Sequence, residues 1–446
     1  MVSAPVSEDP EISNHDGPAR GAPPRRGPAR RRSTRGGPAR RLQALGCAVA
    51  AGWAGAFPLA SHLSNQVFWG TVAAPAYAVA GLLCLVLPRR IAARAAAATA
   101  LSGAVLLPLV LLALHGRRQS EVMVVERAAR LLLRTGSPYL PDPVVAADYN
   151  PYLPAMALFG LPRAALGSSG GIGQVVGDAR VWFALTFLAC LLACWRLLGP
   201  GRDRGRVRGR SVGAGAGAGA EPTGWGGSAL LPLAVLTASP LIGLALVTGG
   251  VDLPLIGVCC LAMALAARGR AVPAGLVLAL ACTLKWTAWP ALPVVALLLR
   301  RRHGGRPAAR AVLTAVAGGA AVITPFVLRD ARELREQVMR YPLGLTAVHT
   351  PAESPLPGRV LAGLGPAGHT VSLSLLCTGG LVVALWLLAY PPGSAVAACD
   401  VLAAGLTVAF MLAPAGRFGY LALPTVLVLW PRLAARARGA AGRHGR

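Results

Sequence analysis

Residues 271–299, AVPAGLVLALACTLKWTAWPALPVVALLL, decide how this chain must fold. The stretch holds no acid and a single cation, Lys285, and it lies between Arg268/Arg270 and Arg300/Arg301. One helix of that length would measure about 44 Å, well beyond the ~30 Å hydrocarbon core of a bilayer. Basic residues at both ends also favour the same aqueous side, because cations accumulate on cytoplasmic loops. Two short helices meeting near Lys285 satisfy both conditions.

The same alternation of apolar run and arginine block extends in both directions. Upstream, spans are expected at about Leu42–Leu59, Val72–Leu87, Ala95–Leu114, Val181–Leu198, Leu230–Val247 and Leu253–Ala267. Downstream they are expected at Val312–Leu328, Val371–Tyr390, Val396–Leu412 and Tyr420–Leu433. Of 446 residues, 54% are hydrophobic and only 14% charged, where a soluble domain carries about 25% charge. The expected fold class is an all-α polytopic membrane protein of about 11–12 transmembrane helices. Tyr152–Leu166 is apolar but short and is interrupted by Pro162 and Arg163, so it reads as interfacial or re-entrant.

Parity then assigns the segments. Residues 1–41 are a polar, Pro/Gly/Arg-rich tail, expected to be disordered and cytoplasmic, and 42–114 hold three N-terminal transmembrane helices. Residues 115–433 form the main membrane domain. It carries an outer loop at 115–179, a cytoplasmic Arg/Gly/Ala linker at 199–227 and a second outer loop at 329–368. Residues 434–446 are a basic cytoplasmic tail. The protein is therefore expected in the cell membrane, multi-pass, with both termini cytoplasmic.

The formal net charge of +27 would suggest nucleic acid in a soluble chain. Here the arginines crowd into blocks that alternate with spans, as topology requires, so no nucleic-acid partner is expected and membrane lipids are. The nine cysteines sit mainly in apolar segments and lack CxxC spacing in a loop. They read as small buried hydrophobes. No Asp/His cluster has ligand spacing, so no metal site and no cofactor is expected.

Ten of the 17 acids fall in the expected outer loops: Glu121, Glu126, Asp142, Asp148, Asp178, Asp252, Asp330, Glu333, Glu336 and Glu353. For Asp178, Glu333 and Glu336, ordinary solvation is the expected role. Lys285 is the chain's sole lysine. At membrane depth a cation meets an anion or a water-filled cavity, or else snorkels to the interface. Asp400 lies within its span and is expected to bond to a neighbour near the cytoplasmic side. Glu121 opens an amphipathic helix directly after the third span. There the positive helix end favours its charged form, suiting a base that acts on a hydroxyl from water. The same position is also an ordinary helix start.

The run Glu121-x-x-x-Val125-x-x-Ala128-Ala129-x-x-Leu132-x-x-x-Gly136-x-Pro138-Tyr139, followed by Tyr149-Asn150-Pro151-Tyr152-Leu153-Pro154, resembles the first-loop signature of glycosyltransferase family 87. The Thr248–Asp252 turn, the Gly275–Pro290 segment with Lys285 and a final outer turn fall in the family's order. The resemblance spans about Glu121–Leu433 and implies a GT-C-like membrane domain that uses a polyprenyl-phosphate sugar, typically mannose, as donor. The partners it implies are that donor and a lipid or glycan acceptor. It assigns the general base to Glu121, with Glu126 as a competing candidate. Lys285, Arg417 and then His349 would face the leaving phosphate, and Asp148 and Asp252 would join the binding site. Tyr139, Tyr149 and Tyr152 would stack on a sugar ring or anchor the interface. The chain departs from the family in having glutamate for aspartate at 121, Val125 at a tyrosine position, and Ala415–Tyr420 where Trp and His are usual. Two other readings are a transporter or flippase of lipid-linked substrate, since discontinuous helices build transporter sites, and a non-catalytic envelope assembly protein.

Overall fold

The computed structural model describes residues 37–167, 170–199 and 229–443. Most of the expected tail and linker, and the last three residues, lie outside the described residues. Helix α1 (Gly37–Ala60) pairs with α2 (Ser64–Val86), and α3 (Arg89–Leu101) passes through a π-turn, Ser102–Leu106, into α4 (Leu107–Leu114). Among the described residues α1 is already helical at Gly37, ahead of the expected Leu42. Arg40 reaches from its first turns to the carbonyls of Cys84, Leu85 and Leu87 at the carboxyl end of α2, where a cation is favoured. The fully buried Trp69 donates its indole N–H to Ala104 of the π-turn at 2.8 Å.

The first loop contains α5 (Ser120–Thr135), a 3-10 turn (Pro154–Gly160), α6 (Leu161–Leu166) and α7 (Ile172–Gly177). The segment from Tyr152 to Leu166 is too short to cross and instead lies against α5. A Cβ added to Gly160 would fall 2.5 Å from the Val125 carbonyl, so only glycine permits this approach. After α8 (Ala179–Leu198) the chain enters α9 (Leu230–Thr237) and α10 (Pro240–Thr248), bent from each other by 68°. The continuous span expected at Leu230–Val247 is thus broken. Pro240 opens α10, Ser239 before it is extended, and Tyr77 donates its hydroxyl to the Ala238 carbonyl at 2.7 Å.

Helix α11 (Leu253–Ala267) stands at the centre of the bundle, and all its residues except Leu261 are buried. It is apolar all round because every side meets protein. Next come α12 (Ala271–Leu284), a 3-10 turn (Trp286–Ala288) and α13 (Ala291–His303), the two short helices that the sequence requires on either side of Lys285. Helix α14 (Gly305–Leu334) runs into a π-turn (Arg335–Arg340). The remaining elements are α15 (Pro357–Ala362), α16 (Pro366–Ala389), α17 (Ala395–Leu412), a 3-10 turn (Phe418–Leu421) and α18 (Ala422–Arg443). Among the described residues, eight helices are long and apolar enough to cross a membrane, or nine if the bent pair counts as one span. The protein is an all-α polytopic membrane protein. The count falls below 11–12 because α11 and α12 are apolar but too short to count as full spans.

Arginines bind one end of the bundle together. Arg268 donates to Leu197 at 2.7 Å, Arg438 to Gly199 at 2.9 Å, and Arg302 to Gly393 at 3.3 Å. The contact of Arg438 explains why α18 continues past residue 433. Nearby in sequence, Asp400 and Arg432 form a two-pronged ion pair between α17 and α18, the neighbour expected for Asp400. Helices α12 and α14 leave this basic end side by side, with Gly275 against Ala311 and Ala279 against Gly318. Helix α14 is kinked at Asp330, where φ/ψ is not helical; up to that kink it measures about 37 Å, against about 21 Å for the 14 residues of α12. The turn at Lys285 is therefore recessed below the far end of α14.

Candidate active site

Backbone hydrogen bonds bring the far-end segments together before any side chain acts. Gln119, at the entry to α5, donates its N–H to the Thr248 carbonyl at 3.2 Å. Leu153 donates to Leu284 at 3.1 Å. In the last turn, Gly416 donates to Ala352 and accepts from Ser354, each at 3.0 Å. The starts or ends of α5, α10, α12 and α17, together with both long loops, thus converge on one recess.

Four charged side chains meet there as two ion pairs. Glu121 pairs with Arg417, and Lys285 Nζ lies 2.6 Å from Asp252 Oδ1. All four are largely but not wholly buried, between 12% and 27% exposed. The ammonium of Lys285 also lies 4.8 Å from the ring centre of Tyr420 and 5.7 Å from that of Tyr152, within cation–π range. Lys285 thus meets an anion and two aromatic faces rather than snorkelling away. Gly249 allows the carboxylate its place, because a Cβ there would stand 2.9 Å from Glu121 Oε2.

The other sequence-selected residues surround this cluster or stand apart from it. Tyr139 is buried and donates its hydroxyl to the Tyr152 carbonyl at 3.0 Å, supporting the segment that carries Tyr152. Tyr149 stacks on Tyr341 with ring centres 4.1 Å apart, so one of its faces is occupied within the protein. Asp148 accepts the N–H groups of Val144 and Val145 at 3.2 and 3.1 Å and closes a turn. His349 is exposed on the second long loop and makes none of the contacts of the cluster.

Glu126 is one and a half turns from Glu121 and faces elsewhere. It is 2% exposed, 3.3 Å from Arg118 and 3.6 Å from Arg163. Burial raises its carboxyl above the usual range, with Arg118 opposing that effect. Its contacts tie α5 to α6 and to the start of α8. Asp178 is a correction: expected as a solvated loop acid, it is fully buried against Arg180 at 2.7 Å. Tyr420 and Gly249 were not selected from sequence. Tyr420 was legible only as one aromatic residue in the final turn, and Gly249 only as part of a glycine-rich turn.

Beside the recess, the 3-10 turn, α6, α8 and α12 line an apolar groove of about 490 Å³. Ala155, Phe159, Trp182, Leu280 and Leu284 are among its walls. One of its walls, Leu284, is the residue before Lys285 and accepts the Leu153 N–H at 3.1 Å. Among the described residues, no group of three or more His, Cys, Asp or Glu is arranged to hold a metal ion.

A membrane bundle with charged and aromatic side chains gathered in a recess beside an apolar groove is the plan of a membrane-embedded enzyme. Glycosyltransferase family 87 matches residues 150–414, more than half of the chain. The chain belongs to glycosyltransferase family 87, and its class of reaction is sugar transfer. The match includes Tyr152, Asp252, Lys285 and His349; Glu121 precedes it and Arg417 lies just beyond its end. No curated protein and no solved structure matches the chain.

Proposed function

We propose that this protein has a GT-C-like fold and transfers a sugar, mannose, from a polyprenyl-phosphate donor to an envelope lipid or glycan acceptor on the outer face of the cell membrane. The observation that carries this reading is the meeting of Glu121, Arg417, Asp252 and Lys285 in one recess, with an apolar groove walled in part by Leu284, the neighbour of Lys285. The groove has the chemistry for a prenyl chain, and the cations beside it have the chemistry for its phosphate. The arginine-rich end then faces the cytoplasm, following the bias of cations toward that side.

Glu121 is the proposed base. It takes the proton of the acceptor hydroxyl as that oxygen attacks the anomeric carbon. The bond from that carbon to the phosphate oxygen breaks, and its electron pair leaves with the polyprenyl phosphate. Lys285 and Arg417 stabilise the charge that grows on that oxygen. Each cation is paired with a carboxylate. A donor phosphate would draw them away from Glu121 and Asp252, freeing Glu121 to accept a proton once the donor is bound. Tyr152 and Tyr420 supply faces for the sugar ring, and Asp252 pairs with Lys285 again once the polyprenyl phosphate has left.

The test is transfer by the purified protein in nanodiscs, with radiolabelled polyprenyl-phosphate mannose and candidate acceptors. Transfer is expected from the wild type and is expected to fall by about 10²–10⁴ in Glu121→Gln, the usual contribution of a positioned base. Full turnover in that variant would remove Glu121 from the chemistry. Lipid translocation in liposomes without transfer would replace the whole reading by a flippase.

A further inference from the structure

Asp178 and Arg180 open α8, take no part in the chemistry above, and are both fully buried. Burying two charges away from water is costly unless their geometry is well satisfied. Here it is. Asp178 Oδ1 accepts from Arg180 Nε at 2.8 Å, and Oδ2 accepts from Nη2 at 2.7 Å. The Arg180 backbone N–H adds a third bond to Asp178 at 3.0 Å. The remaining donors reach two other parts of the chain. Nη1 donates to the Val247 carbonyl at 2.6 Å, and Nη2 also donates to the Arg117 carbonyl at 3.0 Å.

Those two carbonyls stand just ahead of the two carboxylates of the recess. Arg117 leads through Gln119 to Glu121, and Val247 leads through Thr248 to Asp252. Immediately beyond the guanidinium, the Gln119–Thr248 backbone bond joins the same two segments. We infer that Arg180, oriented by Asp178, is a positioning residue for the glycosyl transfer, setting the register between the segment that presents Glu121 and the turn that presents Asp252. It touches no substrate and acts through the backbone of both segments. A planar guanidinium can satisfy a carboxylate and two diverging carbonyls together, whereas the point charge of lysine cannot reproduce that fork. This inference rests on the reading of Glu121 as base.

The test uses the full chain in nanodiscs, with Arg180→Lys, Asp178→Asn and Glu121→Gln compared with wild type. Amide exchange is followed by mass spectrometry, and kcat and donor KM are measured with polyprenyl-phosphate mannose. In Arg180→Lys, exchange is expected to rise about tenfold in peptides covering 117–125 and 245–253, with α16–α18 unchanged. The kcat is expected to fall at least tenfold while donor KM stays within about twofold. Asp178→Asn, which keeps every donor of Arg180, is expected to show the same localised pattern more weakly, and it carries the test if Arg180→Lys does not fold. Unchanged exchange in both peptides, or protection lost evenly through the bundle, would overturn the positioning role. A dead Glu121→Gln beside a fully active Arg180→Lys would overturn that role alone; an active Glu121→Gln would instead remove the base assignment on which it rests.

Discussion

Gly249 shows how narrow the tolerance of the recess is at the scale of one residue. A methyl group there would meet Glu121 Oε2 at 2.9 Å and Gln119 Oε1 at 3.3 Å. Both are ends of flexible side chains, so Gly249→Ala should fold and move the carboxylate instead. The expected result is a fall in kcat of about tenfold to 10² with little change in melting temperature, since a small misplacement of a reacting group is costly. Lys285→Gln is expected to raise donor KM by about tenfold and to lower kcat as well, because it removes both binding to the phosphate and stabilisation of the charge that grows on the leaving oxygen, whereas Gly249→Ala should leave KM nearly unchanged. Steady-state kinetics separate the two variants. Lys285 and Glu121 were legible in the sequence because charges are rare in this chain and each occupies a conspicuous position. Gly249 was not, since its importance comes from a side chain 128 positions earlier in the chain. Asp178 escapes a charge-pattern reading for a related reason: its partner Arg180 falls between the outer loop ending at 179 and the span opening at Val181, and a pair two positions apart leaves no trace in the alternation of blocks.

Among the helices, most apolar runs were legible, and so was the turn at Lys285, because length and flanking charge admitted little else. The bend between α9 and α10 was overlooked although Ser239-Pro240 marks it, because an apolar run of span length conceals a local break. The Tyr77 hydroxyl satisfies the Ala238 carbonyl exposed by that bend. Tyr77→Phe should therefore cost about 1–2 kcal/mol, the penalty of leaving a buried acceptor unpaired, read as a lower midpoint in thermal unfolding. Glu126 holds α5 in place in a different way, by neutralising Arg118 and the nearly buried Arg163. Glu126→Ala should destabilise the fold by about 3 kcal/mol, because it leaves buried positive charge without its anion. Activity per folded molecule should fall much less than in Glu121→Gln.

For the whole molecule, the alternation of arginine blocks with apolar runs was enough to place the recess at the end opposite the basic one. It could not show that α11 lies at the centre, because a helix enclosed by protein and one enclosed by lipid are equally apolar. Sidedness is open to direct measurement. In a Cys377→Ser background, a cysteine at the exposed Ile172 should react with an impermeant maleimide in intact cells. A cysteine at Arg302 should react only after lysis, and the reverse pattern would place the recess in the cytosol. The bonds that join Ala352 and Ser354 to Gly416 have a consequence for divergence within this architecture. Because Arg417 is held from Thr350 onward, whose hydroxyl accepts the Ala352 N–H, and Leu343 and Leu345 are tied to His369 and Arg340, the stretch 346–349 should tolerate a change of length or sequence without moving that guanidinium. Chimaeras grafted across this stretch would then change which acceptors are accepted while leaving use of the donor intact.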